Sequence, residues 1–155
     1  MQPAIPATFV IERSFSATPE RVFAAFADPA KKRRWFAEAD HHQLEVYELD
    51  FRVGGKELFR CLFKPGTPVS GLTCTNQTAY LNIVPNQRLV FNSAMSIEDN
   101  CISASLCTIE LAPSGKGTDL TCTFQGVFFE GADGPEIRQA GWNGLFEKLA
   151  SELAV

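Results

Sequence analysis

The sequence predicts an α+β fold: a curved antiparallel sheet of about seven strands gripping a long C-terminal helix, with two short helices after the first strand. Three observations predict it. Six strand-like runs follow one another between residues 44 and 129, joined by tight turns. Two helical signals led by Pro stand ahead of them, and one apolar stripe of helical period closes the chain. The 155 residues suffice for a single domain, 1–155, with a sizeable buried core.

The elements follow in order. Phe9, Ile11 and Phe15 share one parity of an alternating run, which is a strand pattern. Thr18-Pro19-Glu20 offers an N-cap, a Pro at the first helical position and an acid in the first turn. Val22, Phe23 and Phe26 make the buried stripe of that helix. Asp28-Pro29 ends it and starts another, which closes with Trp35 and Phe36. Strands are then predicted at 44–49, 56–63, 73–84, 88–97, 102–111 and 118–129. Gly54-Gly55, Lys64-Pro65-Gly66, Pro85-Asn86, Glu98-Asp99-Asn100 and residues 113–117 supply the turns. Short turns between consecutive strands imply an antiparallel meander. Asp133, with Glu136 three residues on, reads as the N-cap of the last helix. Trp142, Leu145, Phe146, Leu149 and Leu153 form its stripe, predicted to face the concave side of the sheet.

Composition narrows the function. Thirteen Phe against two Tyr and two Trp is an aromatic set with few polar handles, suited to a dry interior or a dry pocket. A net charge of −4 argues against a nucleic-acid partner, which calls for a basic face. No run approaches a membrane span, and the opening residues do not predict a secretory signal. Five cysteines in no metal-like spacing predict reduced, mostly buried thiols and a cytoplasmic protein. His41-His42 lacks the spacing of a metal site and reads as a solvated loop; no metal and no cofactor is expected. Lys31-Lys32-Arg33-Arg34 reads as a solvated helix C-terminus.

An ordered set of short motifs carries a resemblance. It comprises residues 16–23 (Ser-Ala-Thr-Pro-Glu-Arg-Val-Phe), Asp28-Pro29 with Trp35, and residues 50–55 (Asp-Phe-Arg-Val-Gly-Gly). It continues through Ile83-Val84-Pro85, Arg88-Leu89-Val90-Phe91, Gly117-Thr118-Asp119-Leu120, and Gly141-Trp142 with Leu145 and Leu149. With these the chain resembles the activator of heat-shock protein 90 ATPase homologue-like family, within the START-like, helix-grip (birch-pollen-allergen-like, SRPBCC) superfamily. The resemblance implies the fold already read from periodicity, and a cavity of the kind in which superfamily members carry lipids, hormones and polyketides. The chain departs from the family's pattern at Asn82, where a carboxylate is common, and at Ser93, where a bulky aromatic is common. Ser in place of a ring leaves room.

Strand parity and the helix stripe together predict the lining of a ligand cavity between sheet and helix: Glu57, Phe59, Cys61, Tyr80, Asn82, Phe91, Ser93, Phe124, Trp142 and Phe146. Gly141 and Gly144 inside the last helix predict a close approach to its backbone, by a neighbouring element or by a ligand. The expected function is binding of a small apolar or amphipathic molecule. One alternative is a co-chaperone-like interaction with a heat-shock ATPase, implied by the resemblance. The other is a cyclase- or hydrolase-type enzyme acting within the cavity. No catalytic residues are assigned, because Glu57 is the only evident inward-facing group able to move a proton.

Overall fold

The computed structural model describes residues 2–154. Seven strands form one antiparallel sheet: β1 (Ile5–Phe15), β2 (His42–Leu49), β3 (Lys56–Phe63), β4 (Thr73–Val84), β5 (Arg88–Ile97), β6 (Asn100–Ser114) and β7 (Gly117–Phe128). Their spatial order is β1-β7-β6-β5-β4-β3-β2, so β2 to β7 run as a meander and β1 closes on β7. Between β1 and β2 lie α1 (Pro19–Ala27), α2 (Pro29–Lys32) and a π-helical turn over Arg33–Ala37. Helix α3 (Pro135–Leu153) ends the chain. The α+β architecture is as the sequence predicts.

Local chemistry sets the boundaries. The Thr18 side chain accepts from the Arg21 amide at the start of α1, and Asp28 accepts from the amides of Ala30 and Lys31 at the start of α2. Turn residues with positive φ join the strands, including Asn86 at 65° and Glu98 at 53°. The turn between β6 and β7 is tighter than the sequence suggests, since pairing continues to Ser114 opposite Gly117. A side chain at 117 would meet the Phe15 carbonyl oxygen at 2.1 Å, so only glycine admits that crossing.

The core is the concave face of the sheet under the helices. Phe9 stacks on Phe124 with ring centroids 4.6 Å apart, and Ile11, Ile109, Leu120 and Cys122 continue the layer. Trp35 packs edge-on against Phe26 and donates from Nε1 to the Ala25 carbonyl at 2.8 Å. Phe146 and Leu149 of α3 are fully buried in the same cluster, with Trp142 and Leu145 half-buried against it.

Four expectations need correction. The N-cap of α3 is Gly134, at φ 90°, not Asp133; the Asp133 carboxylate is taken by Arg138. Gly141 and Gly144 lie on the exposed face of α3, where a Cβ would meet nothing within 4 Å, so nothing approaches their backbone. The basic run is not uniformly solvated: Lys31, Arg33 and Arg34 are exposed, but Lys32 is only 3% exposed. His42 is not in a loop; it opens β2, is buried, and its Nε2 lies 2.7 Å from the Ala37 carbonyl.

Candidate functional site

The inward side of the sheet can be read row by row from the strand register. Tyr80, Phe91, Cys107, Phe124 and Phe9 form one row across β4, β5, β6, β7 and β1. The next row runs Glu57, Thr78, Ser93, Ser105 and Gly126, and the one beyond it Phe59, Asn76, Met95, Ser103 and Phe128. The first row is apolar and packed. The second and third are mixed, with hydroxyls and an amide among rings. Thr78 and Ser93 satisfy each other, their hydroxyl oxygens 2.8 Å apart.

The helices cover this face unevenly. The backbone of α3 lies close to β1, α1 and the π-helical turn, and comes near the central strands at isolated points at most. Phe59, Ser93, Met95 and Ser105 from the sheet and Trp142 from α3 are all half-buried, although each belongs to the inward face or the helix stripe. A separate open cleft of about 750 Å³ lies at the end of the sheet, where Ile97, Asn100, Ile102, Phe129 and Gly131 meet. None of the lining residues predicted from sequence borders that cleft.

Of the ten predicted residues, Cys61, Tyr80, Phe91, Phe124 and Phe146 are buried in packed contacts, and Glu57 is buried in an ion pair. Phe59, Ser93 and Trp142 are half-buried. Asn82 does not join them. The register shifts between Tyr80 and Asn82, so Asn82 pairs with Val90 and its Oδ1 accepts from Arg88 Nε at 2.8 Å on the exposed side.

Two charged clusters lie against the inward face of the sheet. In the first, Lys32 Nζ donates to Glu57 Oε1 at 2.8 Å and to the Tyr80 hydroxyl at 3.1 Å. The Tyr80 hydroxyl donates to the same Oε1 at 2.9 Å, and the Tyr47 hydroxyl donates to Oε2 at 2.5 Å. Both charged side chains are less than 5% exposed, so the pair stands only because every polar atom near it is matched. Burial pulls the Lys32 pKa down, but the Glu57 carboxylate and the Tyr80 hydroxyl outweigh it and leave the ammonium above its ordinary range. Burial pushes the Tyr80 hydroxyl up to about 12, against the opposing pull of Lys32, and raises Tyr47 as well. The ring of Phe36 lies 4.5 Å below the ammonium.

In the second cluster, Arg138 of α3 is 8% exposed. Its Nε and Nη2 donate to the two oxygens of Asp133 at 2.9 and 2.7 Å, and Nη2 also donates to Ser103 Oγ at 3.0 Å. The guanidinium lies 5.1 Å from the Phe128 ring centre and 5.9 Å from that of Phe124. Asn76, in the same row as Ser103, has its Oδ1 buried with no hydrogen-bond partner among the described residues. Among the described residues, no three His, Cys, Asp or Glu side chains converge to hold a metal ion.

Sequence reasoning missed Lys32, Arg138, Asn76 and Tyr47. The signals were present. Lys32 precedes Trp35 and Phe36 by three and four residues, on the buried side of its helix, and an inward Glu57 requires a partner. Arg138 stands four residues before Trp142, at the head of the apolar stripe.

Comparison with known proteins agrees with this architecture. The Mll3558 protein of Rhizobium loti is 45% identical, with 98% of this chain and 100% of that one covered and a TM-score of 0.86. A protein of Rhizobium leguminosarum is 35% identical over 98% and 97% of the two chains, with a TM-score of 0.90. The CV1439 protein of Chromobacterium violaceum is 31% identical over 94% and 96%, with a TM-score of 0.77. No curated protein matches the chain. The family described as "Activator of Hsp90 ATPase homolog 1-like protein" matches residues 16–154, and the chain belongs to that family.

Proposed function

We propose that this protein binds a small, mainly apolar molecule between the central strands and α3. One observation carries the reading: Phe59, Ser93, Met95 and Ser105 on the inward face, together with Trp142, stay half-buried where a closed core would cover them. Apolar burial is worth roughly 25 cal/mol per Å², so a ligand covering a few hundred Å² of this surface needs no charged anchor. Phe59, Met95 and Trp142 supply the apolar contacts, and Ser93 supplies space. Binding rather than acid–base chemistry fits Glu57, whose two carboxylate oxygens are both engaged by protein donors. Five unbridged thiols support a reducing, cytoplasmic setting.

The test is saturable binding of an environment-sensitive apolar dye such as Nile red to the native protein. Ser93→Trp is expected to abolish binding while leaving the unfolding transition cooperative. Failure of the wild-type protein to bind the dye or any other apolar probe would overturn the reading. The family's description would then put a protein-interaction role ahead.

A further inference from the structure

We infer that the open cleft at the end of the sheet is a second binding site, for a small organic cation: an ammonium group carried on a hydrocarbon body. It stands apart from the region between sheet and helix, since neither Phe59, Ser93, Met95 nor Trp142 lines it. Three stretches of chain build it: the residues leading into β1, the turn between β5 and β6, and the connection from β7 to α3. The Phe129 amide donates to the Ile102 carbonyl at 2.8 Å and ties the last two together. Gly131, at φ 83°, then makes the turn that leads to α3. The cleft holds about 750 Å³, the size of a small-molecule site, and it is open to solvent.

The lining sets the chemistry. Its apolar part is Ala4, Ile97, Ile102 and Phe129, and Phe129 is 38% exposed. A large ring left open inside a concavity is surface that a ligand's hydrocarbon would cover. The charged part has one sign. Asp99 and Glu130 both line the cleft, with no Lys, Arg or His among the described residues there. No ion pair among the described residues neutralises either carboxylate. Glu130 is steadied by the Gln2 amide, which donates to Oε1 at 2.7 Å. A neutral apolar ligand would strip water from both carboxylates and return nothing, and an anion would be repelled. An ammonium pairs with them, and the Phe129 ring is a further partner for its charge. Cys101 lines the same cleft with an exposed thiol, which gives the site its own reporter.

The experiment compares three fluorescent ligands with one dansyl body: dansylcadaverine, its neutral N-acetyl derivative and the anionic dansyl aminocaproate. The amine is expected to bind saturably and about threefold to tenfold more tightly than the acetyl derivative, the worth of two partly exposed ion pairs. The carboxylate should bind most weakly. Asp99→Asn combined with Glu130→Gln should make amine and acetyl derivative equal, with the unfolding midpoint little changed because both positions are exposed. Salt at about 1 M, which screens charges beyond about 3 Å, should do the same in the wild type without any substitution. Saturating amine should slow the reaction of Cys101 with a thiol reagent. Ser93→Trp should leave amine binding as it is. Equal binding of amine and acetyl derivative by the wild type would overturn the inference. So would an amine preference that survives the double substitution, a Cys101 that bound amine does not protect, or loss of amine binding in Ser93→Trp. None of these results bears on whether Nile red binds between sheet and helix, so the two sites stand or fall separately.

Discussion

Lys32 carries its charge into the interior because the restart of the helix at Asp28-Pro29 turns that position toward the sheet, where Glu57 and two tyrosine hydroxyls receive it. Removing one member leaves the other as an unpaired buried charge. Lys32→Met or Glu57→Gln should each destabilise the fold by about 3–5 kcal/mol in urea unfolding. The double variant should cost clearly less than the two single effects combined, since the partners form one network. A few tenths of a kcal/mol for Lys32→Met would show that the ammonium reaches water. His42 gives a second prediction. Burial holds its pKa below 6.5, opposed by its hydrogen bond to the Ala37 carbonyl and reinforced by His41, Lys148 and Lys64. A folded pKa lower than the unfolded one means that the unfolded chain binds the extra proton. The stabilisation is therefore complete above about pH 6.5 and is lost as pH falls below it, with a slope of at most about 1.4 kcal/mol per pH unit. His42→Gln should flatten that part of the stability profile. Residues of this kind were the least legible in the sequence. Charged and imidazole groups are read as solvent-facing by default, and only their partners, far along the chain, show otherwise.

At the scale of elements, α3 serves two ends differently. Its C-terminal half buries Phe146 and Leu149, and its N-terminal half sends Arg138 inward over aromatic rings while leaving Gly141 and Gly144 in solvent. An exposed helical glycine costs about 1 kcal/mol relative to alanine. Gly141→Ala and Gly144→Ala should each raise the thermal midpoint by about 2–4 °C. A fall in the midpoint would mean that something does press on this face. The strands were the most legible elements: alternation and turn residues place β3, β4 and β5 at their observed limits. Asn82 escaped because alternation assumes an unbroken strand, and the irregularity after Tyr80 reverses the side on which the next residues point. The cap of α3 escaped because an Asp before a helix serves equally as cap or as salt-bridge partner, and here Arg138 took it.

Across the whole molecule the cysteines test the compactness of the sheet. Cys61 faces Cys74 on adjacent strands, and the sulfurs of Cys107 and Cys122 are 3.6 Å apart, yet all five cysteines are free. Hydrogen bonding between the two thiols, with burial, raises the Cys107 pKa well above its ordinary range and suppresses its thiolate. A thiol reagent should therefore react quickly with exposed Cys101 alone in the native protein, and with all five after denaturation without reductant. Three thiols in the denatured count would reveal a bridge. No helix among the described residues is long and apolar enough to cross a membrane. The pairing of β1 with β7 has a consequence for biogenesis. Residues 5–15 are made well before their hydrogen-bonding partners at 118–128. At roughly 5–20 residues per second on the ribosome, the first strand waits many seconds with a bare edge before its neighbour emerges. Its alternating Phe9, Ile11 and Phe15 are what an early chaperone would meet, and docking of the last-made strand is the step that ends that exposure.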